Sequence, residues 1–109
     1  MKGIGVDIVS VSRLSAKVAD KILSKKEMVE FTSYLKTNKV RAMEFLAGRL
    51  ACKEAYLKAV GVGTYEGVSL TDISIYKDEN GVPKFKGIPN ARVTVSHDNG
   101  VAVAFVVIE

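Results

Sequence analysis

The sequence has few of the residues from which disulfides, zinc sites and membrane spans are built. It contains one cysteine, one histidine, two prolines and no tryptophan. One cysteine cannot form an internal disulfide, and one cysteine with one histidine cannot supply the ligand pairs of a zinc site. No apolar run approaches the roughly 18 residues that a membrane-spanning helix needs. These absences favour a reducing, cytoplasmic location and argue against a membrane protein.

The charge balance is basic on a chain of ordinary hydrophobicity. Sixteen lysine and arginine residues face twelve aspartate and glutamate residues, which leaves a formal net charge of +4. Such an excess indicates an anionic partner without identifying it. No linker, repeat or low-complexity segment divides the chain, so residues 1–109 are interpreted as one domain. A carboxylate interrupts the apolar start of the chain, which is untypical of a secretory signal.

Strand patterns occur at both ends of the sequence. Residues 3–11 form a near-continuous apolar run, which predicts a strand covered on both faces. After residue 70 the apolar residues follow a period of two, which predicts two hairpins. Their turns fall at residues 78–81 and 97–100, where Asn-Gly pairs are strong turn signals.

Helical patterns fill the middle of the chain. Ser24 and Glu27 fit a capping box and predict the start of a helix. A second helix is predicted from about Lys39 to Val60, a stretch without proline in which alanine and leucine recur, and it ends at Gly61. Helices and strands together predict the α+β class, a small single domain with a long central helix packed on a mostly antiparallel sheet.

Asp7 is a carboxylate in a strand that otherwise suits burial. On an alternating strand it shares a face with Gly3, Gly5 and Val9. A buried carboxylate is costly unless a cation or a hydrogen bond compensates it. The two glycines leave room beside it for a ligand or for another backbone. Two interpretations therefore stay open, a structural ion pair with an arginine or lysine and a binding site.

Glu54 is a second carboxylate on an apolar face. Helical spacing places it with Leu50 and Leu57. Lys58 follows one turn later, in the order that favours a solvated i,i+4 ion pair. The apolar company of Glu54 favours the alternative, a functional carboxylate that points into the fold.

Two carboxylates on different elements are a ligand set that suits an oxygen-preferring divalent cation. Mg²⁺ commonly takes one or two carboxylates and completes its coordination with water and phosphate. By spacing, Arg49, Lys53 and Lys58 are expected to flank Glu54 and to offer cations to a phosphate. Glycines at Gly61 and Gly63 would allow an extended ligand to approach the backbone closely.

The single histidine and the single cysteine are weaker candidates. His97 lies at a predicted strand end, where polar residues are often functional. Ser96, His97 and Asp98 are consecutive, so they cannot form a catalytic triad on a strand, where neighbouring side chains point to opposite faces. Cys52 is interpreted as a small buried hydrophobe of the long helix.

Three blocks of the sequence resemble the bacterial holo-[acyl-carrier-protein] synthases, a family of phosphopantetheinyl transferases. The blocks are GIGVDIVSVSRL at 3–14, FLAGRLACKEAYLKAVGVG at 45–63 and VTVSHDNGVAVAFVV at 93–107. They occur in the family's order and cover nearly the whole chain. The resemblance implies a Mg²⁺-dependent transfer of 4′-phosphopantetheine from coenzyme A to a serine of the acidic acyl carrier protein. Adenosine 3′,5′-bisphosphate would leave, and the role would lie in fatty acid and lipid biosynthesis.

The resemblance also implies roles for particular residues. Asp7 and Glu54 match the metal-binding carboxylates, and Lys58 matches a lysine that contacts the phosphates and assists the leaving group. Glu54, directly or through a water on the metal, is the best-placed base for the serine proton. The remaining matches concern coenzyme A and its phosphates, at Arg41, Arg49, Lys58, Gly61, Gly63, Ser96 and His97, and the carrier protein, at Arg13, Lys17 and Lys21.

Two features of the chain bear on its partners. Between residues 14 and 21 the chain is shorter than in family members, and this region belongs to the family's carrier-binding helix. The family members that this sequence resembles are homotrimers with coenzyme A between subunits. The apolar final run at 102–108 independently favours self-association, while the number three comes only from the resemblance.

Two other classes of protein are alternatives to a transferase. A nucleic-acid-binding module would suit the net charge, but the sequence has no RNP-like aromatic strand, KH-type loop or helix-turn-helix pattern. A structural protein with buried ion pairs would explain Asp7 and Glu54 but not the cations and glycines that accompany them. We therefore expect neither nucleic acid nor a membrane as partner.

Overall fold

The computed structural model describes residues 1–61 and 68–109, in which five strands form one antiparallel sheet. The strand order is β1-β5-β4-β3-β2, so the first and last strands of the chain lie side by side. Both predicted hairpins are present, and Asn99 and Gly100 turn with φ of 50° and 77°. The strands are β1 (Gly3–Ser10), β2 (Ile75–Lys77), β3 (Pro83–Phe85), β4 (Ala91–Asp98) and β5 (Val101–Ile108).

In the described part of the chain, three α-helices come between β1 and β2 in the sequence, and local capping sets their ends. The Ser24 side chain accepts from the Glu27 amide, and the Glu27 side chain accepts from the Ser24 amide, which completes the predicted capping box. Gly61 ends the long helix with φ of 110°. No described helix is both long and apolar enough to cross a membrane. The helices are α1 (Ala19–Ile22), α2 (Lys25–Thr37) and α3 (Lys39–Val60), and 3-10 turns occupy Val11–Arg13, Ala16–Val18 and Leu70–Asp72.

The long helix α3 packs backbone to backbone on β1. A Cβ at Gly5 would collide with the carbonyl oxygen of Ala55, and a Cβ at Gly3 would collide with that of Ala59. The sequence left open whether these glycines make room for a ligand or for another backbone. In the structure they make room for the backbone of α3. Because α2 covers the other side of α3, α3 is buried around most of its circumference.

The outer face of the sheet is apolar and open. Ile4, Val6 and Ile8 of β1 are 52%, 53% and 62% exposed, and Val103 and Phe105 of β5 are each 38% exposed. The expectation that residues 3–11 form a strand covered on both faces is therefore wrong for the single chain. The strand alternates, and α3 covers only the face that carries the glycines.

The contact between Gly5 and α3 makes a stability prediction. Gly5→Ala should lower the free energy of unfolding by at least about 2 kcal/mol, because the added methyl group overlaps a helix carbonyl that cannot move without shifting α3. Urea denaturation followed by circular dichroism measures this loss.

Gly81→Ala is the matched control. Gly81 has φ of 79° with open space around it, so this variant meets only the backbone cost of about 1 kcal/mol. Equal losses at the two positions would contradict the packing argument.

Candidate functional site

Asp7 and Glu54 converge on one small pocket beside β1. Asp7 comes from β1 and Glu54 from the last third of α3, so the contact between these two elements brings the carboxylates together. Arg13 lies at the same pocket, in the 3-10 turn that follows β1. The pocket has a volume of about 280 Å³, and its other walls are Ile8, Val9, Leu14 and Leu50.

Asp7 is paired with Lys58. The Lys58 ammonium donates to Asp7 Oδ1 at 2.9 Å and to the Val6 carbonyl at 3.2 Å. The Asp7 side chain is 16% exposed and that of Lys58 is 49% exposed, so the pair lies near the surface. Lys58 therefore reaches across to β1, and among the described residues no ion pair joins it to Glu54. Asp7 thus forms an ion pair with a lysine and also lines a pocket, so the two interpretations of this residue are compatible.

Glu54 lies in an environment that disfavours its charge. Partial burial raises the pKa of Glu54, the negative charge of Asp7 raises it further, and Lys58 opposes both effects. A divalent cation between the two carboxylates would remove this cost. Within residues 1–61 and 68–109 no third aspartate, glutamate, histidine or cysteine joins them. Two carboxylates fit Mg²⁺, which fills its remaining positions with water and phosphate oxygens.

Because its surroundings disfavour the negative charge of Glu54, removing that charge should stabilise the metal-free protein. Glu54→Gln should raise the melting temperature in EDTA by roughly 1–4 °C, because the amide avoids both desolvation of a charge and repulsion from Asp7. The gain should shrink on acidification, since protonation of the wild-type carboxyl group removes the same charge.

Differential scanning fluorimetry measures both effects, and Glu79→Gln in the exposed turn between β2 and β3 is the control. A melting temperature that falls in the Glu54 variant at neutral pH would contradict the electrostatic argument.

Lys53 and Arg49 do not flank Glu54, contrary to the expectation from spacing. Lys53 is fully buried and donates to Glu27 Oε1 at 2.6 Å and to the Ile22 and Leu70 carbonyls at 2.6 and 2.9 Å. Arg49 is 4% exposed, and its Nε lies 3.6 Å from Glu27 Oε2. Both cations face α2 because α3 turns about 100° per residue and α2 covers that side.

Glu27 is the functional candidate that sequence reasoning missed. It is 2% exposed and, besides the cap at Ser24 and the bond from Lys53, Oε2 accepts from the Ile75 amide at 2.9 Å. The capping box by itself indicated only that a helix starts here. The signal for burial was its spacing, since Glu27 shares a helical face with Phe31, which is 2% exposed.

The residues matched to coenzyme A are spread over the molecule. Arg41 is exposed, stacks on Tyr34 at 5.1 Å from the ring centroid, and lies 13 residues before Glu54, or about 20 Å along the helix. His97 lies against α3, with Nε2 3.0 Å from the Glu44 carbonyl, which assigns the donor proton to Nε2. Gly48 permits this contact, since a Cβ there would come within 2.7 Å of Nε2.

Three other predicted site residues lie at exposed positions. Ser96 is exposed on the outer face of the sheet, the face opposite to that of His97. Lys17 and Lys21 are exposed on the short helical turns after Arg13, where the chain forms no long helix. Gly61 ends α3 as predicted, and Gly63, for which a role was also predicted, lies outside the described residues.

Cys52 is fully buried, as predicted for a core residue. Its surroundings raise the pKa of the thiol to about 12, chiefly through burial. Because the thiolate is the reactive form, such a thiol is unreactive at neutral pH.

Comparisons with known proteins identify the family of this chain. The sequence model of the 4′-phosphopantetheinyl transferase superfamily matches residues 3–106. The chain is 40% identical to a holo-[acyl-carrier-protein] synthase of Staphylococcus aureus (strain Newman) over 115 aligned positions, 98% of this chain and 94% of that protein.

Two solved structures of holo-[acyl-carrier-protein] synthases have the same fold. One from Bacillus anthracis, in complex with CoA (3′,5′-ADP), has a TM-score of 0.84 and 36% identity, covering 99% of this chain and 96% of that one. One from Helicobacter pylori, in complex with coenzyme A, has a TM-score of 0.71 and 31% identity, covering 97% and 99%. The α+β fold is confirmed, and the chain belongs to the 4′-phosphopantetheinyl transferase superfamily as a member of the holo-[acyl-carrier-protein] synthases.

Proposed function

We propose that this chain transfers the 4′-phosphopantetheine group of coenzyme A to a serine of apo-acyl carrier protein and releases adenosine 3′,5′-bisphosphate, with Mg²⁺ as the metal. The observation that carries the proposal is the convergence of Asp7 and Glu54 on one pocket with Arg13. The names of the relatives support the carrier protein as acceptor, and the complexes of two of them support coenzyme A as donor.

Asp7 and Glu54 are the residues that would hold the metal. Both offer carboxylate oxygens, and the lone cysteine and histidine lie elsewhere, which fits a hard cation better than zinc. When bound, Mg²⁺ supplies positive charge to the pyrophosphate of coenzyme A, where negative charge accumulates during phosphoryl transfer.

The protein's own groups account for the proton and for the leaving group. In the reaction the serine oxygen forms a bond to phosphorus, the phosphoanhydride bond to the nucleotide breaks, and the hydroxyl proton must be accepted. Glu54 is the proposed acceptor, since in the described part of the chain its carboxylate is not held by an ion pair as that of Asp7 is. Lys58, which donates to Asp7, is the proposed stabiliser of charge on the departing phosphate.

Exposed cations beside the pocket suit an acidic carrier protein. Arg13 lies at the pocket, and the segment that follows it presents Lys17 and Lys21 to solvent. Opposite charges on two surfaces steer encounter and orient the partners. We propose this segment, residues 13–21, as the carrier-binding surface.

The open outer face of the sheet supports self-association. Val6 pairs in register with Phe105, and apolar neighbours extend this patch along β1 and β5. Exposed apolar patches of this kind commonly mark protein interfaces. We propose that this face mediates a homotrimer, with the number of subunits taken from the family resemblance.

The reaction is tested by mixing the protein with apo-carrier protein, coenzyme A and Mg²⁺ and measuring the mass of the carrier. The carrier should gain one phosphopantetheine group. Asp7→Ala and Glu54→Ala should slow the reaction at least ~100-fold, because each removes half of the charge that would hold the metal.

Glu79→Ala is the matched control, since it removes an exposed carboxylate outside the pocket. A carrier that gains no mass with any of several carriers and metals would overturn the proposed function. Retardation of DNA or RNA together with no thermal shift by coenzyme A would favour the nucleic-acid-binding alternative.

The proposed interface is tested with Val6→Glu, which places a charge in the centre of the outer face. The wild-type protein should sediment at three times the chain mass of 11.8 kDa, and the variant should sediment as a smaller species. Val29→Glu, on the exposed side of α2, is the control and should leave the mass unchanged. A wild-type protein that sediments as a monomer would contradict the assembly.

A further inference from the structure

Lys53 directly precedes Glu54 in α3, and its ammonium group is completely withdrawn from solvent. An ammonium has three hydrogens to donate, and Lys53 has three oxygen acceptors. They are Glu27 Oε1 and the carbonyls of Ile22 and Leu70, at 2.6, 2.6 and 2.9 Å. One side chain therefore connects α3 to α2, to the end of α1 and to the turn Leu70–Asp72. A lysine held in this way cannot serve as a mobile phosphate ligand.

Glu27 balances this charge and is itself held on several sides. Its Oε1 accepts from the Ser24 amide at 2.8 Å as well as from Lys53, and its Oε2 accepts from the Ile75 amide at 2.9 Å. The backbone at the start of α2 and of β2 therefore holds the carboxylate independently of its contacts with α3. Its position determines where the Lys53 side chain, and with it this turn of α3, can lie.

The residue after Glu54 is constrained as well, from the opposite direction. The Ala55 carbonyl lies against Gly5 of β1 so closely that no Cβ fits between them. Residues 53 and 55 are therefore both held, one by hydrogen bonds to α1, α2 and the 3-10 turn and one by contact with the sheet. The backbone at residue 54 has little freedom to translate or rotate, and its carboxylate is directed towards Asp7.

Stability alone is a weak reason for a buried ion pair at this position. Apolar residues of similar volume often replace such a pair with no loss of stability, because desolvation of the two charges offsets their attraction. An ion pair differs from an apolar contact in that its hydrogen bonds fix distance and direction. This property matters beside a carboxylate that must hold a metal, since the partners of metal ligands tune affinity about 10–100-fold.

We propose that Lys53, held by Glu27, is a positioning residue that fixes the Glu54 carboxylate in the pocket with Asp7. The proposal rests on the proposed function, because it assigns Glu54 to the metal.

The test is the affinity for Mn²⁺, measured without coenzyme A by the loss of the free-ion signal in electron paramagnetic resonance. Lys53→Met keeps the length of the side chain and removes its donors. It should weaken Mn²⁺ binding about 10–100-fold and lower kcat by a similar factor, with little change in the KM for the carrier protein.

Phe31→Leu is the matched control, since it removes buried volume from α2 and leaves the ion pair intact. Measured well below the melting temperatures, this variant should keep the wild-type Mn²⁺ affinity and kcat.

Wild-type Mn²⁺ affinity and kcat in folded Lys53→Met would overturn the positioning role. If Lys53→Met does not fold, Glu27→Gln takes its place in the same measurements, because its amide oxygen can still accept hydrogen bonds. Failure of the proposed function is a separate result, since the wild-type protein would then leave the carrier unmodified.

Discussion

The close approach of α3 to β1 is the contact on which the candidate site depends. Gly3 and Gly5 let the two backbones touch, and the next residue on the same face of β1 is Asp7. With a side chain at either glycine, α3 would have to move outward by a large fraction of a side-chain diameter, and Glu54 would move with it. The glycines therefore determine the separation of the two carboxylates, although they contribute no chemical group to the pocket.

The positive charge of the chain serves more than one purpose in the structure. Lys53 and Arg49 are internal and face Glu27, so they contribute to the net charge without presenting it to a partner. Arg13 lines the pocket and Lys58 is paired with Asp7, which also lines it. Burial, rather than the number of cations, thus decides which of them can meet an anion, and a net charge of +4 says little about the surface by itself.

Sequence reasoning succeeded where the cause of a structure is local. The long helix has its predicted limits because its capping residue, Asn38, and Gly61 are its immediate neighbours in the chain. Asp7 and Glu54 stood out because a carboxylate among apolar residues is conspicuous at short range. The partner of Lys53 could not be identified in this way, since Glu27 lies 26 residues earlier. Their contact depends on which side of α3 the helix α2 covers, and that is a property of tertiary packing rather than of spacing.

The first strand connects the site with the outer face of the sheet. Its side chains alternate, so Asp7 points towards α3 while Val6 and Ile8 point outward into the apolar patch. Any protein that covers the patch must therefore press on the residues directly beside Asp7. Within the sheet β1 is an edge strand and pairs only with β5. The proposed interface and the proposed metal site therefore share β1. Val6 and Ile8 would meet a partner on one face of the strand, and Asp7 would hold the metal from the other.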